Sequence, residues 1–393
     1  LRIAIVTQGF SIGGGVPTIA KWLRTELSAI GHEVNVHDLA TSWKDERSRR
    51  LLDPASWLVS LAPDPHPTDA WLIRWGANFP EFEGQRYRAR RSLTDALNEY
   101  DIIQVVSGAA TLALSVANAV PPKVLQVATD ITSERSARLA GMPIARRVLK
   151  TMGLPTLRRL ERLGLRSVDE VLVENRGMEG FVRSAGQASV VFAPPGIDLG
   201  LFGPAGAWES WKPVVAMGRL GDSRKDWPTA VAAYELFIAN TDATNELVIA
   251  GRGPASAELL RKIDESPLRE RIRLLEDVPA AELPALLASG SVFLQSSLEE
   301  GLGLAGLEAM ACGLPVVATR TAGSSEYVRD GANGYLVDIN SDTAGALADR
   351  LSQTLLDGRG STLSQGALDM CRTHFSSEVA LHRFVDVYRR LTN

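Results

Sequence analysis

Glu300 and Glu308 have seven residues between them in the stretch 291–319, SVFLQSSLEEGLGLAGLEAMACGLPVVAT. The spacing puts the first carboxylate on a loop and the second in the second turn of the helix that follows, so both can face one crevice. Free backbone N–H groups and the positive dipole end at the start of that helix favour an anion, most naturally a phosphate. The carboxylates beside it would accept hydrogen bonds from sugar hydroxyls. Arg219 and Lys225 flank the loop Leu220-Gly221-Asp222-Ser223-Arg224 at the carboxyl end of a strand. One offers a fork to phosphate oxygens and the other a point charge, which together could clamp a diphosphate. Gly14 and Gly15 sit in a glycine-rich loop between a first strand and a first helix, where a phosphate can approach the backbone. Each pattern also has a plain reading: solvated glutamates, solvated loop cations and a tight turn use the same residues.

The elements that must position these groups follow from hydrophobic pattern. Val292, Phe293 and Leu294 read as a buried strand ending in polar Gln295, Ser296 and Ser297. The loop from Leu298 to Gly303 carries Glu299, Glu300, Gly301 and Gly303. The helix from Leu304 buries Leu307, Met310 and Ala311 and stops at Gly313, with Pro315 beyond. At the other end of the chain a strand over 2–9, a helix over 18–31 with Ala20, Leu23 and Leu27 on its apolar face, and a strand over 33–39 open a Rossmann-like βαβ unit. It lacks the dinucleotide pattern GxGxxG, which argues against an NAD enzyme. Residues 40–83 read as an irregular excursion with one short strand over 71–75. A helix over 87–97, a strand over 101–106, a small-residue helix near 109–119 and strands over 124–127, 170–173 and 189–192 restore the alternation. The linker composition of 193–198 ends this domain. A second α/β series begins with a strand over 213–218 and a helix over 227–239. Strands over 246–250 and 272–275, a loop over 323–326 and an amphipathic helix over 376–391 complete it.

The chain has 393 residues, long enough for two domains, with 45% hydrophobic and 22% charged residues. A net charge of -4 argues against general nucleic-acid binding. No apolar run is clean enough to span a bilayer, the nearest being 105–120. The basic bias of 135–166, with Arg158, Arg159, Arg162 and Arg166 against Glu161, reads as a solvated face or as a docking site for anionic lipid or an acidic acceptor. Cys312 and Cys371 make neither a metal spacing nor a disulfide framework, and no signal peptide precedes the first strand. The expected setting is the reduced cytoplasm.

The run EEGLGLAGLEAMACGLPVVAT resembles the signature of the retaining GT-B glycosyltransferases of family 4, with Glu300-Gly301-Leu302-Gly303 where EGFG is usual. The resemblance implies an α/β fold of two Rossmann-like domains facing a central cleft. Residues 1–195, joined by the helix 376–393, would form the acceptor side, and 196–375 would bind the donor. By the same resemblance Glu300 contacts donor-sugar hydroxyls and Glu308 holds the ribose. Gly301, Leu302, Gly303 and Leu304 meet the donor through their backbone, and Gly14 and Gly15 lie against the diphosphate. Arg219 and Lys225 bind the phosphates and neutralise the leaving group, while Gly251, Asp277 and Val278 surround the base. Arg219, Lys225 and Glu300 would be the catalytic residues. The family histidine falls on Thr129, so Thr129 or Asp130 would make its sugar or acceptor contact, although Asp130 also reads as a helix N-cap.

The expected function is transfer of a sugar, with retention, from a nucleotide-diphosphate sugar to a hydroxyl of a small-molecule or glycan acceptor. A UDP-sugar is favoured as donor. No cofactor beyond this co-substrate and no metal are expected, since no Asp-x-Asp stands at a strand end. Peripheral membrane contact is compatible with the reading. A GT-B nucleotide-sugar epimerase and a non-catalytic nucleotide-sugar-binding protein are the alternatives.

Overall fold

The computed structural model describes residues 1–10, 14–42, 44–132 and 153–393. Their contacts divide them into two units, the first running to Pro195 and regaining Ala380–Asn393, the second comprising Gly196–Val379. Residues 135–150 of the basic stretch lie outside the described residues.

In the first unit the strands are β1 (Arg2–Thr7), β2 (Glu33–Leu39), β3 (Asp64–Pro65), β4 (Leu72–Trp75), β5 (Ile102–Ser107), β6 (Lys123–Val127), β7 (Glu170–Val173) and β8 (Val190–Phe192). They form one sheet in the order β3-β4-β2-β1-β5-β6-β7-β8, parallel except for the short β3–β4 pair. Alternate residues of β1 go to opposite faces, as the pleat requires. Ala4 and Val6 pack with Leu93, Leu97 and Val105, and Ile3 and Ile5 are also fully buried. Helix α1 (Gly15–Ala29) buries Leu23 and Leu27. Its start lies upstream of Thr18, where the periodicity places it, because Pro17 is accommodated in the first turn.

Three more elements differ from the pattern reading. The helix expected over 87–97 is a single turn at Glu83–Arg86 followed by α2 (Arg91–Leu97). The small-residue segment is a 3-10 helix over Ala110–Val116, not an α-helix. Ser115 there turns its hydroxyl back to Leu112 O at 2.7 Å, and α3 (Leu154–Arg166) approaches so closely that a Cβ on Gly164 would lie 2.2 Å from Ala110 O. In the second unit the expected loop over 323–326 is instead a helical turn, Ser324–Tyr327. The Ser324 hydroxyl donates to Thr319 O, and Asn333 donates to Tyr327 O, fixing the turn from both sides.

The second unit has strands β9 (Val214–Arg219), β10 (Leu247–Arg252), β11 (Ile272–Glu276), β12 (Val292–Gln295), β13 (Val316–Thr319) and β14 (Gly334–Val337). They form an all-parallel sheet in the order β11-β10-β9-β12-β13-β14. Strands buried on both faces must be apolar throughout. Accordingly Val214 and Ala216 pack with Trp227, Tyr234 and Phe237 of helix α4 (Trp227–Ala239), while Val215 packs with Phe293, Leu307, Met310 and Tyr327. From β9 the order runs one way through β10 and β11 and then the other way through β12 to β14. Such a reversal leaves a crevice at the carboxyl ends, between the loops that follow β9 and β12.

The chain returns to the first unit through its last helix, Ser377–Thr392. Phe384 meets Trp22 edge-on with centroids 5.5 Å apart, Tyr388 donates to Gln104 Oε1 at 2.7 Å, and Arg390 pairs with Glu170 at 2.5 Å.

Candidate functional site

The crevice between β9 and β12 is lined by two loops from distant parts of the sequence. After β9 the chain makes a tight turn in which Asp222 Oδ1 accepts the Arg224 N–H at 3.1 Å. A 3-10 turn, Ser223–Lys225, follows. Asp226 then adopts φ 46°, a left-handed conformation that costs a non-glycine residue energy. Its Oδ2 accepts from the Thr229 hydroxyl at 2.7 Å, and Pro228 sits in the first turn of α4. After β12 the buried Ser296 donates to Lys225 O at 2.8 Å and to Asp226 O at 2.9 Å, and Leu298 N donates to Arg224 O at 2.8 Å. The two loops are therefore joined through backbone atoms before any charged side chain is considered.

Charged groups pair both across this seam and within the first loop. Lys225 Nζ lies 2.5 Å from Glu300 Oε1, which also accepts from the Ser297 hydroxyl at 2.6 Å. Arg219 and Asp222 pair at 2.6 Å, with the Arg219 side chain about half exposed at 49%. Burial pushes the Asp222 carboxyl up, but the Arg224 guanidinium bound to it, and then Arg219, more than offset this and hold it at about 2.

The helix following this loop, α5 (Leu304–Ala311), is preceded by Gly303 at φ 88°. A side chain at that position would be strained. No side chain of the described residues caps this helix start, and no acidic residue stands in its first turn. Leu302 is buried among the core residues that include Tyr327. This side chain anchors the loop, a role that the reading of the loop as backbone-only misses. Glu308 lies in the second turn and is part-buried, and burial raises its carboxyl to about 7.

The remaining expected residues of this unit line the next strand ends. Gly251 is inside β10, where a Cβ would fall 1.7 Å from Gly218 O, so only glycine permits this strand pair. Asp277 has φ 51°, donates its N–H to Gly251 O at 2.7 Å and accepts from Gly253 N at 2.7 Å. Glu276 accepts from Ala255 N at 2.8 Å, and Val278 follows, part-buried. In the first unit, Gly14 has φ 117° and accepts from Thr18 N, while Gly15 opens α1. Thr129 N donates to Gly108 O at 3.0 Å, and Asp130 Oδ1 accepts from Thr132 N at 2.9 Å, the local capping contact that its position suggests. The buried Glu161 accepts from Ile131 N at 2.8 Å.

Pattern reasoning missed Arg224 and Glu299. Arg224 Nη1 donates to Glu299 Oε2 at 2.7 Å, and its Nη2 to Asp222 Oδ2 at 2.7 Å. The only signal was composition: three charged residues in 222–225 and two carboxylates in 299–300.

Two parallel-stranded α/β units, with a charged crevice at the strand reversal of the second, define a protein of the GT-B class. Residues 212–357, a little over a third of the chain, match the family described as Glycosyl transferases group 1. D-inositol 3-phosphate glycosyltransferase of Arthrobacter sp. (strain FB24) is 27% identical over 405 residues, covering 97% of this chain and 92% of that protein. N-acetyl-alpha-D-glucosaminyl L-malate synthase of Bacillus anthracis is 30% identical over 159 residues, 40% of each chain. The matches to this synthase and to two further D-inositol 3-phosphate glycosyltransferases, from Paenarthrobacter aurescens and Salinispora tropica, span only 40 to 44% of those relatives. Sucrose-phosphate synthase from Thermosynechococcus elongatus superposes with a TM-score of 0.74 at 18% identity, covering 100% of this chain and 99% of that one. Anabaena HepE in complex with UDP-glucose does so with a TM-score of 0.71 at 17% identity, covering 99% and 100%. At these identities the likeness speaks for the fold alone.

Proposed function

We propose that the chain transfers a glycosyl unit from a nucleotide-diphosphate sugar, with a UDP-sugar favoured, to an acceptor hydroxyl with retention of anomeric configuration. The observation that carries this is the pairing of Lys225 with Glu300 and of Arg219 with Asp222, beside the start of α5, which no side chain of the described residues caps. A donor matches each partner: its diphosphate takes the place of a carboxylate beside the cations, and its sugar hydroxyls take the place of the ammonium beside Glu300. As the bond from the anomeric carbon to phosphate oxygen breaks and the acceptor oxygen bonds to that carbon, negative charge grows on the departing diphosphate. Arg219, Lys225 and the N–H groups at Leu304 stabilise it, usually the largest contribution in such a step. The acceptor hydroxyl passes its proton to an oxygen of the departing diphosphate, so nucleoside diphosphate and glycoside are the products.

Glu308 holds the ribose in this reading, Gly301, Leu302 and Gly303 follow the donor with their backbone, and the base lies by Gly251, Asp277 and Val278. Gly14 and Gly15 attend the diphosphate, and Thr129 and Asp130 attend the donor sugar or acceptor. The preference for uridine draws on HepE, solved with UDP-glucose. A mannosyltransferase of Mycolicibacterium smegmatis that is 35% identical over 168 residues is named as GDP-mannose-dependent, which makes GDP the second donor nucleotide to try. The protein works without a metal or further cofactor in this reading, in the cytoplasm, where two free buried cysteines are at home. Peripheral contact with anionic lipid belongs to the proposal through the exposed Arg158, Arg159, Arg162 and Arg166 of α3.

Incubation with UDP- and GDP-sugars and a panel of acceptors tests the reading. Nucleotide released only when acceptor is present, with an α-linked product from an α-linked donor, is the expected result. Isomerised donor would make the protein an epimerase, and binding without turnover would make it a nucleotide-sugar-binding protein.

A further inference from the structure

Glu299 and Glu300 are adjacent carboxylates facing adjacent cations, Arg224 and Lys225, and the structure pairs them in order: Arg224 with Glu299 at 2.7 Å and Lys225 with Glu300 at 2.5 Å. All four side chains are mostly buried, with 11 to 19% of each exposed. A buried seam of two like cations against two like anions has a second solution, in which Lys225 takes Glu299 and Glu300 swings away. The backbone bond from Leu298 N to Arg224 O and the Ser296 hydroxyl bonds hold the loops together in either case. The Ser297 hydroxyl, 2.6 Å from Glu300 Oε1, holds Glu300 beside Lys225. Arg224 holds the other carboxylate: Asp222 grips its Nε and Nη2 at 3.1 and 2.7 Å, leaving Nη1 aimed at Glu299. A planar fork can bridge two carboxylates in this way, whereas an ammonium cannot fix both directions.

We propose that Arg224 is a positioning residue that occupies Glu299 and thereby sets the register in which Lys225 and Glu300 meet the donor. This rests on the donor-site reading given above. It predicts an unusual energetic pattern. Arg224→Gln takes the guanidinium away from Glu299, one residue from the carboxylate that Lys225 should meet, so Lys225 is drawn to the wrong partner. Adding Glu299→Gln removes the competitor and lets Lys225 return to Glu300. The second substitution should therefore repair the first.

The experiment compares the full-length chain, Arg224→Gln, Glu299→Gln and the double variant. It reads kcat and KM for transfer from a UDP-sugar, the affinity for UDP by calorimetry, and Tm. Arg224→Gln should lower kcat about tenfold to a hundredfold, the scale of a misplacement near 1 Å, with a smaller rise in KM. The double variant should recover most of that loss while its Tm does not exceed that of Arg224→Gln by a matching amount. Should Arg224→Gln fail to fold, Arg224→Lys keeps the charge without the bridge, and its loss should likewise be repaired by Glu299→Gln. A double variant as slow as Arg224→Gln overturns the proposal, as does wild-type kcat and UDP affinity in Arg224→Gln. If the wild type binds UDP but transfers nothing, the functional reading fails, and UDP affinity across the same variants decides the register: repair supports it and absence of repair overturns it.

Discussion

The two sheets reverse their strand order in the same manner, between β1 and β5 in the first unit and between β9 and β12 in the second, yet their carboxyl edges are built from different chemistry. At the β9–β12 edge, cations and carboxylates are paired within 2.7 Å, Arg224 and Lys225 with Glu299 and Glu300 across the seam and Arg219 with Asp222 within one loop. At the β1–β5 edge two buried hydroxyls are satisfied by backbone, Thr7 donating to Val106 O at 3.1 Å and Ser107 to Ala109 O at 2.8 Å, and the buried Asp38 carboxylate accepts from Phe10 N at 3.1 Å. A paired ionic edge can exchange its partners for a ligand with matching charges at little desolvation cost, because its groups are already removed from water. The first edge has no such cation–carboxylate pairs among the groups just named. Under the proposed function, the donor's charge is met in the second unit.

The largest effect that can break this comparison is on turnover. Lys225→Ala should lower kcat about a hundredfold or more, as loss of one donor to a developing oxyanion does elsewhere. Arg219→Ala should cost less, since its side chain is half exposed and its charge is screened. Thr129→Ala and Asp130→Ala should change kcat by less than Lys225→Ala does and leave UDP affinity unaltered. Rates and calorimetry on the four variants decide it. If the first-unit pair lost more UDP affinity than Lys225→Ala, the division of labour would be wrong.

The next effect separates the two glutamates of the donor site. Glu308→Ala should weaken UDP binding itself, because ribose is present in donor and product alike. Glu300→Ala should reduce turnover of the intact donor and change UDP affinity little. Equal losses of UDP affinity in both variants would dissolve the distinction.

How much of this was legible before the structure follows from where the information lies. The strands Glu33–Leu39 and Glu170–Val173 and the helix Trp227–Ala239 fall where pattern places them, because each is a local apolar run with local stop signals. The Glu300 to Glu308 segment was legible for the same reason: strand, loop and helix are contiguous. The Arg224–Glu299 pair was not. It joins residues 75 apart and exists only because β9 and β12 are neighbours, a fact about strand order that no local window contains. The 3-10 segment Ala110–Val116 escaped for a tertiary reason as well, the close approach of Gly164 to Ala110 O.

The remaining prediction concerns a smaller effect, from a second pair of glutamates, one in each unit. Burial raises Glu174 in the first unit to about 7, with the Gln126 amide that donates to it at 3.4 Å opposing the rise. Burial raises Glu308 in the second unit to about 7 as well. In both cases the folded protein binds the proton more tightly than the unfolded chain, whose glutamates titrate near 4.5. Stability contributed by the neutral acid is therefore full below about 4.5, declines as pH rises towards 7, and is lost above it. For the fully enclosed Glu174 this is worth roughly 3 kcal/mol at most, by about 1.4 kcal/mol per pH unit. Glu174→Gln should thus raise the Tm at pH 8 and flatten its decline between pH 5 and 7. Glu308 should differ, because in the proposed function ribose hydroxyls donate to its ionised form. UDP affinity should rise with pH through about 7 in the wild type and in Glu174→Gln, and lose that dependence in Glu308→Gln. Calorimetric titrations at pH 5.5, 7 and 8.5 test both halves, and a UDP affinity whose pH dependence vanished in Glu174→Gln but persisted in Glu308→Gln would place the nucleotide in the wrong unit.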